Sequence, residues 1–474
     1  MNALRRVLFW FFAVAYLVLC PTVILYALGY LHSGLISVRS VPPDARVLMG
    51  GRPIGATTPV EISGLPSGDY EVTVAADGYL PWKQVASVRR GQATVLDHVL
   101  LLPEKPVIET LDTASYEKLL PIASAPFFLL LRGRSAADWR VFDLEDETLR
   151  PLIPPGLPFA DARIGKVFRV PGSTQLILVA TLYGETIRLR LDLSGDPIRI
   201  DDVTEQFAGR WQRVLWDPAE PDILFALQEK EGRVRKVDLS TEEDDPQFGV
   251  GWRAIGVFDG RVHGILDDGR VVAMRFDKSS PEAISDDPKA GRQLFGEQTR
   301  FTIEPLDGEI ILYLGTNGRL CQNGLPNLLV EDGVRGLEVS PVQRRALVWT
   351  RESLGMLDAS TDAGSRQGGR FEKGRQVSWL FEEGTDIEAA AFMHGGSHAV
   401  ILDDGQLSIL ELFPGVRPRP RTVTRLRKGG GIRYSAKRGV VYGLDPERGR
   451  LLSVKVAPPA TSLPIPFGDA PGEP

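Results

Sequence analysis

The first residues of the chain form an uninterrupted apolar run. Residues 7–31, VLFWFFAVAYLVLCPTVILYALGYL, contain no charged side chain. A helix of this length rises roughly 37 Å, which is enough to cross a hydrocarbon core of about 30 Å. Arg5 and Arg6 precede the run, and no Lys or Arg follows until Arg39. The pattern predicts a short cytoplasmic tail over 1–6, a transmembrane signal anchor over 7–31, and a chain that continues outside the cytoplasm.

Two other interpretations of this segment exist. A cleaved signal peptide usually has an apolar region of only about 7–15 residues and a cleavage site of small residues, whereas the exit sequence ALGYLHSG has no Ala-x-Ala site. A lipoprotein would use Cys20, but Leu19 stands where a small residue is expected, and the apolar run continues beyond. We favour the retained anchor and leave cleavage open.

Short alternating segments with turn residues between them follow the anchor. In YEVTV, Val72 and Val74 fall on one face of a strand, and polar residues fall on the other face. Gly50 and Gly51 form a two-residue hairpin signal, because both positions tolerate positive φ. The pattern over residues 34–103 predicts a small antiparallel β-sandwich.

The order of turn residues in this segment resembles the PEGA domain, a small β-sandwich of prokaryotic envelope proteins. The matching features are Pro42-Pro43-Asp44-Ala45, the Gly50-Gly51 hairpin, Gly55 with Thr58-Pro59, Leu65-Pro66 with Gly68, and Gly78-Tyr79 with Trp82. The family's namesake tetrapeptide is present only in part, as PPDA. The apolar run before it is also similar to the anchors of membrane-tethered PEGA proteins. The resemblance implies an extracytoplasmic context and no defined biochemical activity.

A loose repeat of apolar hairpins occupies residues 104–457. Eight units share an apolar strand, a Gly-bearing turn and an alternating strand: 127–144, 175–193, 222–239, 254–276, 309–324, 345–358, 398–412 and 439–456. Their intervals are comparable to the roughly 40–50 residues of propeller blades. Because one hairpin cannot bury its own apolar face, the repeat predicts a β-propeller of seven or eight blades. A pair of sandwiches is the competing fold.

The predicted fold class is therefore all-β apart from one N-terminal transmembrane helix. The repeat region resembles WD40-like and TolB-like propellers in layout, without a regular Trp-Asp signature, so the resemblance implies an architecture and no function. The last segment, 458–474, is rich in proline, lacks a strand pattern and is predicted to be disordered.

Charge and composition exclude some functions. The net charge of -6 argues against a nucleic-acid partner, which normally requires a basic balance. One concentrated basic stretch lies between residues 417 and 438, with nine basic residues and no acid. The candidate contacts to a polyanion or an acidic partner are Arg417, Arg419, Arg421, Arg425, Arg427 and Lys428. A solvated loop between blades is the alternative interpretation.

Tyr79 and Trp82 are candidates for an aromatic platform that binds a glycan or peptide, with a place in the sandwich core as the alternative. His394 and His398 in MHGGSH suggest a metal site only weakly, because no Cys or carboxylate lies nearby, and a hairpin loop explains them better. The LDDG sequences at 266–269 and 402–405 suggest type I′ turns rather than calcium loops.

Catalytic motifs are missing from the sequence: GxSxG, a P-loop and HExxH are all absent. We therefore predict no catalytic residues, no metal and no cofactor. The expected function is that of a single-pass cell-membrane protein with most of its chain outside the cytoplasm. Its propeller would recognise an envelope protein, a peptide or a cell-wall polymer. An extracytoplasmic propeller hydrolase or lyase, and a structural surface-layer component, are the alternatives.

Overall fold

The computed structural model describes the two domains that follow the apolar run. The described residues are Tyr16, Cys20, 33–122, 125–228, 232–277, 282–283, 301–306, 310–322, 328–340, 343–359, 376–412 and 420–458. They form two compact units. One comprises residues up to 107 together with 436–440 and the residues from 455 onward, and the other comprises 108–435 and 441–454.

The predicted anchor lies almost entirely outside this part of the chain. Of residues 1–31 only Tyr16 and Cys20 are described, and of the predicted tail 458–474 only Pro458 is described. In the portion of the chain that the structure covers, no helix combines the length and the apolar character needed to cross a membrane. The anchor over 7–31 therefore stays a prediction from the sequence.

The first unit contains a sandwich of two sheets. Its strands are β1 (Ser33–Val41), β2 (Arg46–Met49), β3 (Arg52–Thr57), β4 (Val60–Pro66), β5 (Gly68–Ala75), β6 (Trp82–Val88) and β7 (Ala93–Leu100). One sheet has the order β4-β1-β7 and the other β3-β2-β5-β6. Alternate residues of both sheets, including Val38, Val47 and Val72, are buried in one apolar core. Strands of period two thus bury one face each, as the sequence predicts.

The prediction of a purely antiparallel sandwich is wrong at one pair of strands. β1 and β7 run parallel, with Ile36 opposite Thr94. They are the first and last strands of the sandwich, so no tight hairpin constrains their relative direction. The Gly50-Gly51 hairpin is confirmed, because the two residues have φ of 52° and 77° and join Met49 to Arg52.

The second unit is built from eight small antiparallel sheets, counted over the described residues. The first four are β9 (Lys118–Pro121), β10 (Phe127–Leu131), β11 (Arg140–Asp143), β12 (Leu149–Pro151); β13 (Arg163–Arg169), β14 (Gln175–Leu182), β15 (Glu185–Asp192), β16 (Arg199–Asp202); β17 (Trp211–Asp217), β18 (Glu220–Gln228), β19 (Val234–Asp238), β20 (Glu243–Gly249); and β21 (Trp252–Phe258), β22 (Arg261–Leu266), β23 (Val271–Arg275), β24 (Glu282–Ala283). A short 3-10 helix, Ala136–Asp138, lies between β10 and β11.

The remaining four sheets complete the series. They are β25 (Phe301–Pro305), β26 (Ile311–Gly315), β27 (Leu320–Gln322); β28 (Gly336–Ser340), β29 (Arg345–Trp349), β30 (Leu354–Asp358), β31 (Ser378–Phe381); β32 (Ile387–Met393), β33 (His398–Asp403), β34 (Gln406–Glu411), β35 (Arg421–Arg425); and β36 (Arg433–Ser435), β37 (Val440–Leu444), β38 (Leu451–Lys455) with β8 (Ile108–Thr110). We call these sheets blades 1 to 8.

The last blade joins the two ends of the unit. β8, which precedes blade 1 in sequence, pairs antiparallel with β38, with Glu109 opposite Ser453. Blades 8 and 1 also meet through Tyr442, whose ring packs 5.6 Å from that of Phe128 and whose hydroxyl donates a hydrogen bond to Glu147. The chain therefore returns to its starting point, as a closed propeller requires.

Every other step around the ring also has contacts. Shared buried apolar clusters join blades 1 to 2, 2 to 3 to 4, 4 to 5, 5 to 6, and 6 to 7. Between blades 7 and 8, the Arg427 N–H donates to the Leu444 carbonyl at 2.7 Å. Strand order and these contacts make the unit a closed eight-bladed propeller, which confirms the all-β class.

Repeated turns set the ends of the strands. Asp143, Asp192 and Asp238 each end the third strand of a blade, and each side chain accepts the backbone N–H two residues later. Such short side-chain turns stop a strand and start the next connection. The sequence LDDG forms two different turns: Asp404 and Gly405 both have positive φ, as in type I′, but in residues 267–270 only the glycine does. The type I′ prediction is therefore wrong for 266–269, because the four-residue loop 267–270 leaves its aspartates outside the positive-φ positions.

Candidate functional site

The first strand of each blade lies at the inner edge of its sheet. Inner strands of successive blades contact each other, including β13 with β17, β17 with β21, β21 with β25, and β28 with β32 with β36. At the closing step the Leu119 N–H of β9 donates to the carbonyl of Gly430, just before β36, at 2.7 Å. Because these edges face one another around the ring, they enclose a central channel.

Charged side chains on the inner strands interact across this channel. The charges of Arg169 in blade 2 and Arg213 in blade 3 interact with that of Glu304 in blade 5. Glu338 in blade 6 interacts in the same way with Arg433 in blade 8. These blades are not neighbours in the ring, so the charges interact across the space that the inner strands enclose.

Glu338 is the titratable group with the most functional interest. Its Oε1 accepts a hydrogen bond from the backbone N–H of Phe392, at 3.4 Å, on the next inner strand. Burial raises the pKa of Glu338 to about 7, against the opposing effects of Arg433 and the Phe392 N–H. A carboxyl that titrates near neutral pH inside a cleft and faces a cation is typical of a functional site.

The other channel charges are shifted by the same cause. Burial raises the pKa of Glu304, although Arg213 and Arg169 act in the opposite direction. Burial also lowers the pKa of Arg169, Arg213 and Arg433. Arg169 is exposed to solvent, yet the strands packed around it still lower its pKa. Low dielectric surroundings disfavour the charged form of each group.

Two of the channel arginines donate hydrogen bonds to backbone carbonyls. Arg169 donates from Nη1 to the Pro121 carbonyl. Arg433 donates from Nη2 to the Ala125 carbonyl at 2.9 Å, and its Nε has no hydrogen-bond partner in the described structure. Burial opposes the ionised forms of Glu304, Glu338 and Arg433, and the opposite charges across the channel offset its effect only in part.

A second charged group lies where the inner strands of blades 6, 7 and 8 begin. The Asp386 carboxylate accepts hydrogen bonds from Lys428, at 3.0 Å, and from Arg335. Lys428 also contacts Asp404 at 2.6 Å. Hydrogen bonds from Lys428 and Arg335 lower the pKa of Asp386, and those to Asp404 and Asp386 raise the pKa of Lys428. This network links three blades at the surface.

The basic stretch is distributed over several environments. Arg421 and Arg425 lie on β35, the outermost strand of blade 7, and Lys428 belongs to the network at Asp386. Arg427 donates from Nη1 to the Tyr116 carbonyl at 3.0 Å. Arg417 and Arg419 lie outside the described residues. Of the six candidate contacts, Arg425 remains exposed on a strand edge, whereas Arg427 and Lys428 bind groups of the protein itself.

The aromatic candidates belong to the sandwich core. Trp82 is 4% exposed and its ring packs edge-to-face against His98, with centroids 5.9 Å apart. Tyr79 is half-buried and packs against the same core. The aromatic platform is therefore wrong for Trp82, because the apolar core covers both faces of a ring that must be open to bind a ligand.

The two histidines of MHGGSH lie in the hairpin between β32 and β33. Their rings pack edge-to-face at 5.8 Å, and Ser397 Oγ lies 2.8 Å from His398 Nδ1. His394, Gly395 and Gly396 all have positive φ, which closes the loop. Over the described ranges, no group of three or more His, Cys, Asp or Glu residues could hold a metal ion.

Sequence reasoning missed the channel residues. The predicted hairpin units mostly correspond to the second and third strands of each blade, such as β10 with β11 and β14 with β15. The inner strands are more polar and lie before these units. A charged residue inside an otherwise apolar segment ahead of each unit, as in FTIEP and GLEVS, was the available signal.

Comparisons with known proteins identify the small domain. Residues 33–101 match the family model of the PEGA domain, which confirms the resemblance found in the sequence. The match covers the seven strands of the sandwich and does not extend into the propeller. No curated protein matches the chain.

Solved structures resemble the chain only distantly. The β-propeller domain of Myceliophteria thermophila Cps50 (Swd1) is 12% identical, with 74% of this chain and 100% of that chain covered and a TM-score of 0.37. YCF48 from Cyanidioschyzon merolae is 11% identical over 73% and 98%, with a TM-score of 0.40. PorZ, a surface component of the type-IX secretion system of Porphyromonas gingivalis, is 15% identical over 71% and 42%, with a TM-score of 0.38. The strand order and the contacts between successive blades, rather than these likenesses, show the propeller fold.

Proposed function

We propose that the protein is a membrane-tethered binding protein of the cell envelope, with its propeller outside the cytoplasm recognising a protein, a peptide or a cell-wall component. The apolar run 7–31 and the preceding Arg5 and Arg6 support the anchor and its orientation. The PEGA match over 33–101 supports a position outside the cytoplasm, because PEGA domains are small β-sandwiches of prokaryotic envelope proteins.

The observation that carries the binding role is the charged channel. The channel carries five charged residues on inner strands, where apolar residues would serve a purely structural ring: Arg169, Arg213, Glu304, Glu338 and Arg433. Partly compensated buried charges are costly to a fold and are typical of sites that bind or act on ligands. Rigid inner strands also hold these groups in fixed positions, as recognition requires.

Affinity capture after mild cross-linking in intact cells tests the proposal. Three tagged baits are compared: the full-length chain, a truncation that ends before residue 104, and a full-length variant carrying Arg169→Gln with Glu338→Gln. A full-length chain with Arg163→Gln is the matched control, because Arg163 lies on the same strand as Arg169 and is exposed.

We expect the full-length chain and the R163Q control to enrich an envelope component that the truncation does not capture. Reduced capture by the channel variant would assign recognition to the channel. If all baits return the same background, the binding role is wrong, and an enzymatic or surface-layer role becomes the better explanation. Protease treatment of intact cells checks the orientation: residues after 32 should be cut without breaking the membrane.

A further inference from the structure

The two sheets of the sandwich end in four edge strands, β3 and β6 in one sheet and β4 and β7 in the other. Three of these edges are interrupted. β4 and β7 each pair with β1 through a register shift, and β3 pairs with β2 through another. β3 also contains Pro53, and β4 ends at Pro66. Bulges and prolines of this kind keep sheet edges from pairing with other chains.

The fourth edge strand, β6, is regular. It pairs with β5 in unbroken register, from Trp82 opposite Val74 to Val88 opposite Gly68, and it contains no proline. Among the strands that the structure describes, none pairs with its other side. β6 is therefore the edge of the sandwich that is best suited to the addition of another strand.

The backbone groups at the centre of β6 point out of the sheet. The Glu71 carbonyl of β5 accepts the Gly50 N–H at 2.9 Å, so the backbone of Glu71 faces β2 rather than β6. Because opposite residues of antiparallel strands share one orientation, the N–H and the carbonyl of Val85, which lies opposite Glu71, face away from β5. The Ser87 carbonyl has the same orientation and accepts a hydroxyl from β7. Alternate backbone groups of β6 are thus directed at its free edge.

An exposed valine lies at the centre of this edge. Val85 is 59% exposed and lies between Lys83 and Ser87 on the outer face of β6. An apolar side chain in the middle of an unpaired, regular strand is typical of a surface that pairs with another chain. The Ser87 hydroxyl donates to the Asp69 carboxylate at 2.6 Å, which places an acid beside the same edge.

We propose that β6 pairs antiparallel with β6 of a second copy of this chain, about a two-fold axis at Val85. This register places Val85 opposite Val85 of the other copy and Lys83 opposite Ser87, so like charges do not lie directly opposite each other. It also directs the Lys83 ammonium toward Asp69 of the other copy, which already accepts the Ser87 hydroxyl. The symmetric pair is therefore complementary in apolar contact and in charge. This inference goes beyond the proposed binding function and does not depend on it.

Cysteine cross-linking of the full-length chain in cells tests the pairing. In a Cys20→Ser background the remaining native thiol, that of Cys321, is 2% exposed. Val85→Cys places two thiols across the axis, where opposite Cα atoms lie about 4.5–5.5 Å apart, within the range of a disulfide. After mild oxidation, V85C should give severalfold more disulfide-linked dimer than Val250→Cys, since Val250 is a valine of similar exposure in the propeller.

Two differently tagged copies of the chain test the register. Lys83→Cys in one copy and Ser87→Cys in the other should form a linked heterodimer, because the pairing places these residues opposite each other. Either variant alone should stay at the level of V250C, since residue 83 lies about 14 Å along the strand from its equivalent, which is too far for a disulfide. Val85→Lys, added to both copies, places like charges opposite each other and should lower the heterodimer yield severalfold.

Three results would overturn the inference. Equal dimer yields from V85C and V250C would mean that the thiols meet only by chance collision. A heterodimer yield no higher than that of the single variants would exclude the antiparallel register, and strong dimer formation by K83C alone would mean that the strands pair in parallel. The capture experiment decides the proposed binding function separately, because it compares changes in the propeller that leave β6 unaltered.

Discussion

Replacement of Glu338 by Gln should change how the stability of the protein depends on pH. Burial raises the folded-state pKa of Glu338 from 4.5 to about 7, so the folded chain holds this proton more tightly than the unfolded chain does. Stability from this group is fully present below about pH 4.5 and is lost as pH rises through about 7. Gln is close to the protonated acid in shape and cannot ionise.

The size of the effect follows from the pKa. A difference of one in pKa corresponds to about 1.4 kcal/mol, so ionising Glu338 should cost about 3 kcal/mol of the free energy of unfolding. Arg433 and the Phe392 N–H already reduce this cost, since both stabilise the ionised form. E338Q and wild type should therefore be similar near pH 4.5, and E338Q should be more stable by up to about 3 kcal/mol at pH 8.

Urea unfolding of the full-length protein between pH 4.5 and 8, followed by tryptophan fluorescence, measures the difference. Glu352→Gln is the matched control, because Glu352 is an exposed glutamate in the same blade; its curve should run parallel to wild type. A constant offset between E338Q and wild type at all pH values would refute the reasoning. It would mean that Glu338 ionises as freely in the folded chain as in the unfolded one.

Two further predictions concern packing. Trp82→Ala should destabilise the sandwich by about 3–5 kcal/mol, because it empties a core position that is 4% exposed. Trp82→Phe should destabilise it less. An unchanged urea midpoint for the sandwich in Trp82→Ala would contradict the burial of this residue. Ser173→Ala should cost about 1–3 kcal/mol, because it removes the buried acceptor 2.8 Å from Trp216 Nε1. Thermal unfolding of S173A, W216F and the double variant measures this, and the prediction is wrong if the two single effects simply add.

Patterns of period two and turn residues were enough to predict the sandwich and the repeat. The Gly50-Gly51 hairpin could be predicted because glycine tolerates positive φ. The apolar second and third strands of each blade could be predicted from their alternation of apolar and polar residues. The parallel pairing of β1 with β7 could not be predicted this way, because long-range pairing depends on which edges remain free after the hairpins form. The sequence also does not predict which charges meet across a closed ring.

The basic stretch shows why local charge is a weak guide to a binding surface. Lys428 looks available in the sequence, where no acid occurs nearby in the chain. In the fold, the carboxylates of Asp386 and Asp404 form ion pairs with its ammonium group. Glu338 shows the reverse: it is an isolated acid in an apolar segment, which the ring places opposite Arg433.

The charges of the channel are not what holds the blades together. If their role were to hold the blades together, selection for stability would favour direct pairs or apolar residues, since replacing buried ionic groups with apolar ones is often neutral or stabilising. Blades 1 to 7 already hold together through apolar clusters, so the ring does not depend on Glu304 or Glu338 for closure. Burial disfavours the ionised form of Glu338, and Arg433 and the Phe392 N–H offset this only in part, so an added cation beside the carboxylate would stabilise its ionised form. A bound cation should therefore lower the pKa of Glu338 and release a proton near neutral pH, which calorimetry in buffers of different ionisation enthalpy detects directly.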